Sequence, residues 1–435
     1  MPRGALRYIQ ISHGIESLPD RSKHLSLHQG PDRTSMSSTQ VNRGTVLLPA
    51  GHSVKALTCV RSLGKRGVTT LVATEDPSVP AGVSRYCSEI ESVRSPYEDI
   101  VEYKNGLLAL AKRPDVRTII PNREVDAYVL SKYLDEFDDH VARVWPTFPA
   151  LRAVHDGLEL ARIADNAEVP VPETWTLSAV EDWDRELIVK ARYSILTTDY
   201  VDSFSKTECD GCPDPIHPEP GREPSQSTID GAMHGHEPIV QEFIPIAHEY
   251  SYRALYEHGN CVASSLRRQI RGKSYAGGAS VCRELTRNAE LEALGEQVLD
   301  ELEWHGLATV QFLEDARTGA YTLAEVNPRT WTSIPCDVRS GADFPYFVWQ
   351  LATGNRDDID STHETGLATH LLFGELQYLA SVLRDDYPNT PNPGLLNSVR
   401  DVLWSCYTDP RFDYLTYDDP APFAREARHA LEALT

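Results

Sequence analysis

The chain has 435 residues and a mass of 48.6 kDa, room for two to four domains at about 100–200 residues each. With 41 % apolar residues, a mean hydropathy of −0.38 and no run near the ~18–20 apolar residues of a membrane span, neither a membrane protein nor an exported disulfide scaffold is expected. Acidic residues number 64 against 42 basic, a formal charge of −22 and a pI near 5.1, a field that repels nucleic-acid phosphate.

Residues 1–42 lack apolar periodicity and are rich in Ser, His, Gln, Arg and Pro, which predicts a disordered tail, with Met36 as an alternative start. Thr45–Ala50 (TVLLPA) reads as a buried strand. Leu57, Val60 and Leu63 then mark one face of a helix over Val54–Arg66, which Gly67 ends. Val68–Thr74 is a second strand, so the unit is βαβ and the sheet parallel. Val116–Pro121 (strand) and Val125–Tyr133 (helix) extend this first α/β domain, taken as 43–150.

Leu187–Ala191 (LIVKA) predicts a strand carrying Lys190. Residues 197–237, full of Pro, Gly, Asp, Glu and Ser, predict a long surface loop. Ile239–Ile244, Glu249–Tyr256, Cys261–Ile270, Ala308–Leu313 and Tyr321–Val326 read as strands of a mostly antiparallel sheet, with an amphipathic helix over Asn288–Trp304. Residues 356–435 read as a helical segment with Pro-rich joints.

The chemistry concentrates in VQF (Val310–Phe312) and LAEVNPRTWTSIP (Leu323–Pro335). Glu325 and Asn327 alternate along one strand and share a face; Gln311, on the preceding strand, reaches it from alongside. A carboxylate and two amide oxygens suit a Mg²⁺ that nucleotide phosphates also hold, with Mn²⁺ as an alternative. Arg329, at the strand end, can hold a transferring phosphoryl group. There is no G-x-G-x-x-G or G-x-S-x-G, and Gly272-Lys273-Ser274 is no phosphate loop, because Arg267 stands where its first glycine belongs.

These motifs resemble the ATP-grasp superfamily over roughly residues 45–355. The VQF…EVNPR runs are similar to the metal site of the carbamoyl-phosphate synthetase large subunit, and the wider layout is similar to the carboxylate–amine ligases. The resemblance implies an α/β plus α+β chain: a parallel pre-ATP-grasp α/β domain, a two-lobed ATP-grasp fold over 151–355, and the helical C-terminal segment. It implies that Lys190 holds nucleotide phosphates, that Glu242, Phe243 and Ile244 form the hinge that binds adenine, and that Glu249 takes the ribose hydroxyls. Arg268 and Arg283, beside Gly277-Gly278-Ala279-Ser280, are the implied substrate or phosphoryl contacts. The implied activity joins a small-molecule carboxylate to an amine, such as an amino acid or peptide, through an acyl phosphate, with release of ADP and phosphate.

Two departures stand out. Asp156 is followed by Gly157 where the family often has lysine, and the loop after Lys190 (Arg192-Tyr193-Ser194-Ile195) lacks the usual glycines, so either Arg192 substitutes as the phosphate contact or nucleotide binding is weak. They keep two alternatives open: a phosphorylating or carboxylating enzyme without an amine acceptor, and a non-catalytic nucleotide sensor. Cys209, Cys212, His217, His234 and His236 offer zinc-ligating atoms, but at a spacing more in keeping with a flexible loop. Abundant acid with scarce lysine points to a salt-rich cytoplasm and a halophilic source. Eight scattered cysteines are expected to be mostly reduced thiols, and a homodimer is left open.

Overall fold

The computed structural model describes residues 44–387 and 390–432; the tail at 1–42, with Met36, lies outside them. The first layer is a parallel sheet of β1 (Thr45–Pro49), β2 (Thr69–Thr74), β3 (Glu89–Ser92) and β4 (Val116–Ile119), in the order β3-β2-β1-β4. Every residue of β1 is buried, which is why it reads as a continuous apolar run with helices on both faces. Those helices are α1 (Val54–Lys65) on one side and α2 (Ile100–Ala111) and α3 (Glu124–Lys132) on the other. The Ser53 hydroxyl accepts from the Lys55 amide and starts α1; Asp99 does the same for α2. Short α4 (Leu134–Asp138), then α5 (Phe148–His155) and α6 (Gly157–Asn166), lead out of this layer.

A small lobe follows, built from β5 (Thr174–Thr176), β6 (Leu187–Lys190) and β9 (Ile239–Glu242) in the antiparallel order β5-β9-β6. Between β6 and β9 lie β7 (Ile195–Thr197), β8 (Cys209–Gly211) and α7 (Gln226–Ala232). The long surface loop expected over 197–237 is therefore partly structured. β7 and β8 pair, Ile216 bridges Val189, and Ile229 and Met233 pack on Leu187, Val189 and Val240. Its few apolar residues, spread among prolines and glycines, build the lobe's core without leaving a period to read.

The large lobe is a six-stranded antiparallel sheet of β10 (Ile246–Glu257), β11 (Asn260–Ser274), β12 (Gly277–Thr286), β13 (Gly306–Asp315), β14 (Tyr321–Asn327) and β15 (Ala368–His370), ordered β14-β13-β10-β11-β12-β15. Alternation divides its faces. Tyr252, Ala254, Val310 and Phe312 pack against α8 (Ala289–Glu301), so closely that a Cβ on Gly295 would lie 2.4 Å from the Tyr252 ring. The intervening residues, among them Ser251, Arg253, Arg267 and Gln311, face the other way. There α9 (Ile334–Ser340) and α10 (Phe344–Ala352) pack against α1, with Trp331, Phe344 and Phe347 joining Val54, Leu57 and Val60 in one core. Helices α11 (Leu372–Arg384), α12 (Leu395–Thr408) and α13 (Ala421–Glu432) complete the chain, and strand β15, unread in the sequence, ties this segment to the sheet edge. Among the described residues no helix is long and apolar enough to cross a membrane.

Arg253 and Asp337 are fully buried between β10 and α9, 2.6 Å apart. The Ser333 hydroxyl accepts from Arg253, and Ser265 and the Trp331 indole donate to Asp337. Removing one partner leaves a buried charge, so Asp337→Ala should cost about 3–5 kcal/mol in urea-unfolding experiments. A loss of about 1 kcal/mol or less, typical of surface pairs, would contradict this account.

Candidate active site

The β13–β14 register sets Gln311 directly opposite Glu325, with Asn327 two residues along the same face. Asn327 Nδ2 donates to Glu325 Oε1 at 2.8 Å, and Arg329 Nη2 donates to Asn327 Oδ1 at 2.8 Å. Glu325, Asn327 and the expected phosphoryl-binding arginine thus form one chain of contacts, with Gln311 beside it by register alone. No described residue hydrogen-bonds the Gln311 side chain, and Glu325 stays exposed. An exposed carboxylate flanked by two amide side chains is a hard-oxygen set that fits a magnesium-sized cation.

Glu249 lies on β10 in register with this face, two residues before Ser251, the partner of Gln311. Burial raises its carboxyl pKa, the Arg267 charge opposes the rise, and Glu325 adds to it. Lys190 enters from the small lobe at the end of β6. Burial lowers its amine, and Glu325 is the main charge working against that shift. A cavity between the lobes is lined by Lys190, Arg192, Cys212, Gln241, Leu323 and Glu325. At the hinge, the Glu242 and Phe243 amides donate to the Glu173 and Glu186 carbonyls, Ile244 is buried, and the His217 ring stands edge-on to Phe243.

Other expected residues are taken up by partners of their own. Arg192 is held in a fork by Asp156, at 3.0 and 2.7 Å, rather than left free for phosphate. The missing lysine has a steric counterpart: a Cβ on Gly157 would lie 2.7 Å from Ile239 Cδ1 and 3.4 Å from the Arg192 carbonyl. Arg268 pairs with Tyr250 across β10–β11, which puts it on the α8 face, away from Gln311, where Glu284 binds it at 2.6 Å. Arg283 is fully buried against Asp413. Neither arginine joins the cluster; each answers a carboxylate of its own. In the insertion, Cys209 bonds the Pro96 carbonyl, His234 pairs with Asp210, and His236 contacts Met233 and Arg192, so the described residues assemble no metal cluster there.

The structure adds residues the sequence reading missed. Glu124, at the start of α3, is 2.6 Å from Arg329 and 3.4 Å from His155. Burial favours its protonated form, but Arg329, His155 and Lys55 outweigh that and lower its pKa. Lys55, in the first turn of α1, is pushed down to about 7 by burial and by Arg329, with Glu124 and Asp126 opposing. Both lie beyond the carboxyl ends of parallel strands β4 and β1, where open α/β sheets place their ligands; that rule was the available signal.

Comparisons with known proteins bear on the fold. Residues 236–371 match the family model described as "ATP-grasp in the biosynthetic pathway with Ter operon". The chain has the ATP-grasp fold. N5-carboxyaminoimidazole synthetase from Staphylococcus aureus superposes with a TM-score of 0.54 at 14 % identity, over 75 % of this chain and 80 % of that one. The biotin carboxylase domain of the Hydrogenobacter thermophilus 2-oxoglutarate carboxylase, solved as a dimer with MgADP and bicarbonate, gives 0.55 at 13 %, over 74 % and 73 %. Pyruvate carboxylase from Rhizobium etli gives 0.52 at 18 %, over 71 % of this chain; the chain spans only 28 % of that enzyme's length. At these identities the likeness is one of fold. No match was found among curated proteins.

The Lys55 shift fixes a pH trend. A lysine held lower in the fold than in the unfolded chain (about 10.4) destabilises the fold below pH 7, and the penalty fades as pH rises toward the unfolded value. Lys55→Met should therefore stabilise the protein at pH 6, by an amount that shrinks steadily toward pH 10. A pH-independent difference in urea midpoint would contradict the assignment.

Proposed function

We propose that this protein is an ATP-dependent carboxylate–amine ligase that forms an amide through an acyl phosphate. The observation that carries the reading is the convergence of Gln311, Glu325, Asn327 and Arg329 on one sheet edge with Lys190 facing Glu325 from the other lobe. ATP lies between the lobes, its adenine at Glu242–Ile244, its ribose at Glu249 and its phosphates at Lys190. Gln311, Glu325 and Asn327 would hold Mg²⁺, which would neutralise phosphate charge. Arg192, locked by Asp156, serves to fasten the small lobe to α6 instead of touching phosphate.

A substrate carboxylate oxygen attacks the γ-phosphorus, the bond to the bridging oxygen of ADP breaks, and Arg329 stabilises the charge on the transferring group. Glu124 orients Arg329 through their ion pair. An amine then attacks the acyl carbon and phosphate leaves. Lys55 Nζ, poised to lose its proton near neutral pH, accepts the proton shed by the amine. Closure of the lobes keeps water from the mixed anhydride.

A second reading, carboxylation or phosphorylation with no amine acceptor, draws on the solved likeness that holds bicarbonate and MgADP. A nucleotide sensor is the third, favoured by the engaged Arg192 and the absent lysine at 157. An ADP-release screen over carboxylates (bicarbonate included) and amines, in Mg²⁺ and molar KCl to suit the acidic surface, separates them. Amine-dependent ADP release supports the ligase; release without any amine, or nucleotide binding with no release, overturns it.

Two variants test the residues. Glu325→Gln should abolish most turnover with the fold intact by circular dichroism, and near-normal turnover would refute the metal assignment. Lys190→Ala should raise the Kd for ATP about tenfold or more, as expected for loss of a desolvated charge-assisted contact. An unchanged Kd would remove Lys190 from the site.

A further inference from the structure

At the opposite edge of the six-stranded sheet, a second cluster has no part in the chemistry above. Cys282 on β12 and His370 on β15 are register partners, and Glu375 lies in the first turn of α11, five residues past His370. Each offers one ligating atom, these atoms all lie within 4.8 Å of one another, and all three side chains are buried. His370 Nδ1 is 2.8 Å from Glu375 Oε1, while its buried Nε2 meets no hydrogen-bond partner. Either tautomer leaves one ring nitrogen of a fully buried histidine unsatisfied, a cost that native proteins rarely carry without a reason.

The surroundings narrow the ligand. Arg271 forks onto Glu375 at 2.9 and 2.7 Å and also bonds the Ser405 hydroxyl. The next residue on α12, Cys406, lies outside the 4.8 Å group but follows directly on the serine that Arg271 holds. Two thiols, an imidazole and a carboxylate are a donor set for a borderline-soft, tetrahedral cation, not for magnesium.

We propose that Cys282, His370 and Glu375 form a structural zinc site, closed by Cys406. The charges balance: two thiolates offset Zn²⁺, and Arg271 offsets Glu375 while orienting its carboxylate from outside the metal shell. Binding releases the two thiol protons to solvent. The site staples β12, β15, α11 and α12 together, on elements remote from β13 and β14, so its occupancy is independent of the reaction proposed for the cleft.

The test is elemental analysis of the untagged full chain purified without chelator, with zinc expected in equimolar amount. Cys282→Ser and His370→Ala should drop zinc to background, whereas Cys209→Ser and Cys212→Ser should retain it. If the variants fold poorly, the wild type still decides. A chelator should lower its Tm by several degrees, zinc but not magnesium should restore it, and cobalt substitution should give a thiolate charge-transfer band. Wild-type protein that holds no zinc and shows no Tm response to it would overturn the proposal, leaving a hydrogen-bond network around Arg271. Zinc lost only with Cys209 or Cys212 would overturn it too, by placing the metal in the insertion.

Discussion

Glu325 is a carboxylate that the fold leaves on an open face while its neighbours are buried or bonded, and the amine of Lys190 is desolvated opposite it in another lobe. The exposed carboxylate is comfortable in water, but the lysine is not. A lysine taken out of water needs an anion, and one carboxylate shared with Asn327 only partly supplies it. On the proposed reading a bound triphosphate would partner the lysine and its cation the carboxylate. The α8 face of the large sheet supplies a rigid apolar backing, and the small lobe supplies the lysine.

The N-terminal layer is part of the same construction. Helices α9 and α10, which follow directly after Arg329, pack into the core of α1, so the first sheet cannot drift from the large lobe. That packing brings Glu124 and Lys55 to Arg329. A guanidinium, a lysine whose pKa is pushed down to about 7 and a carboxylate between them make a polar junction where, on the proposed reading, substrate would meet phosphate.

Much of this was legible in the residues, and the reasons are physical. Strand alternation forces Glu325 and Asn327 onto one face, and a buried run such as TVLLP has few ways to fold. The lone lysine of LIVKA announced itself because apolar strands seldom bury an unpaired charge. What the sequence hid were contacts between distant segments. Arg268 and Arg283 carry the charge of substrate-binding residues, but the register turns one to the far face and the C-terminal segment gives the other Asp413. Glu124, seen along the chain, is an ordinary helix-start acid. Ile216, Ile229 and Met233 are too sparse to show a period, yet they complete the small lobe's core. Cys282, His370, Glu375 and Cys406 span more than a hundred positions, so no local spacing reveals them.

The measurement that bears most directly on the central claim is a crystal structure with Mn²⁺ and an unreactive ATP analogue, read by the anomalous signal of the metal. The account predicts a manganese peak bonded to oxygens of Glu325, Gln311 and Asn327, with Lys190 on the analogue's phosphates. A peak remote from these three side chains, or an analogue bound away from Lys190, would contradict it.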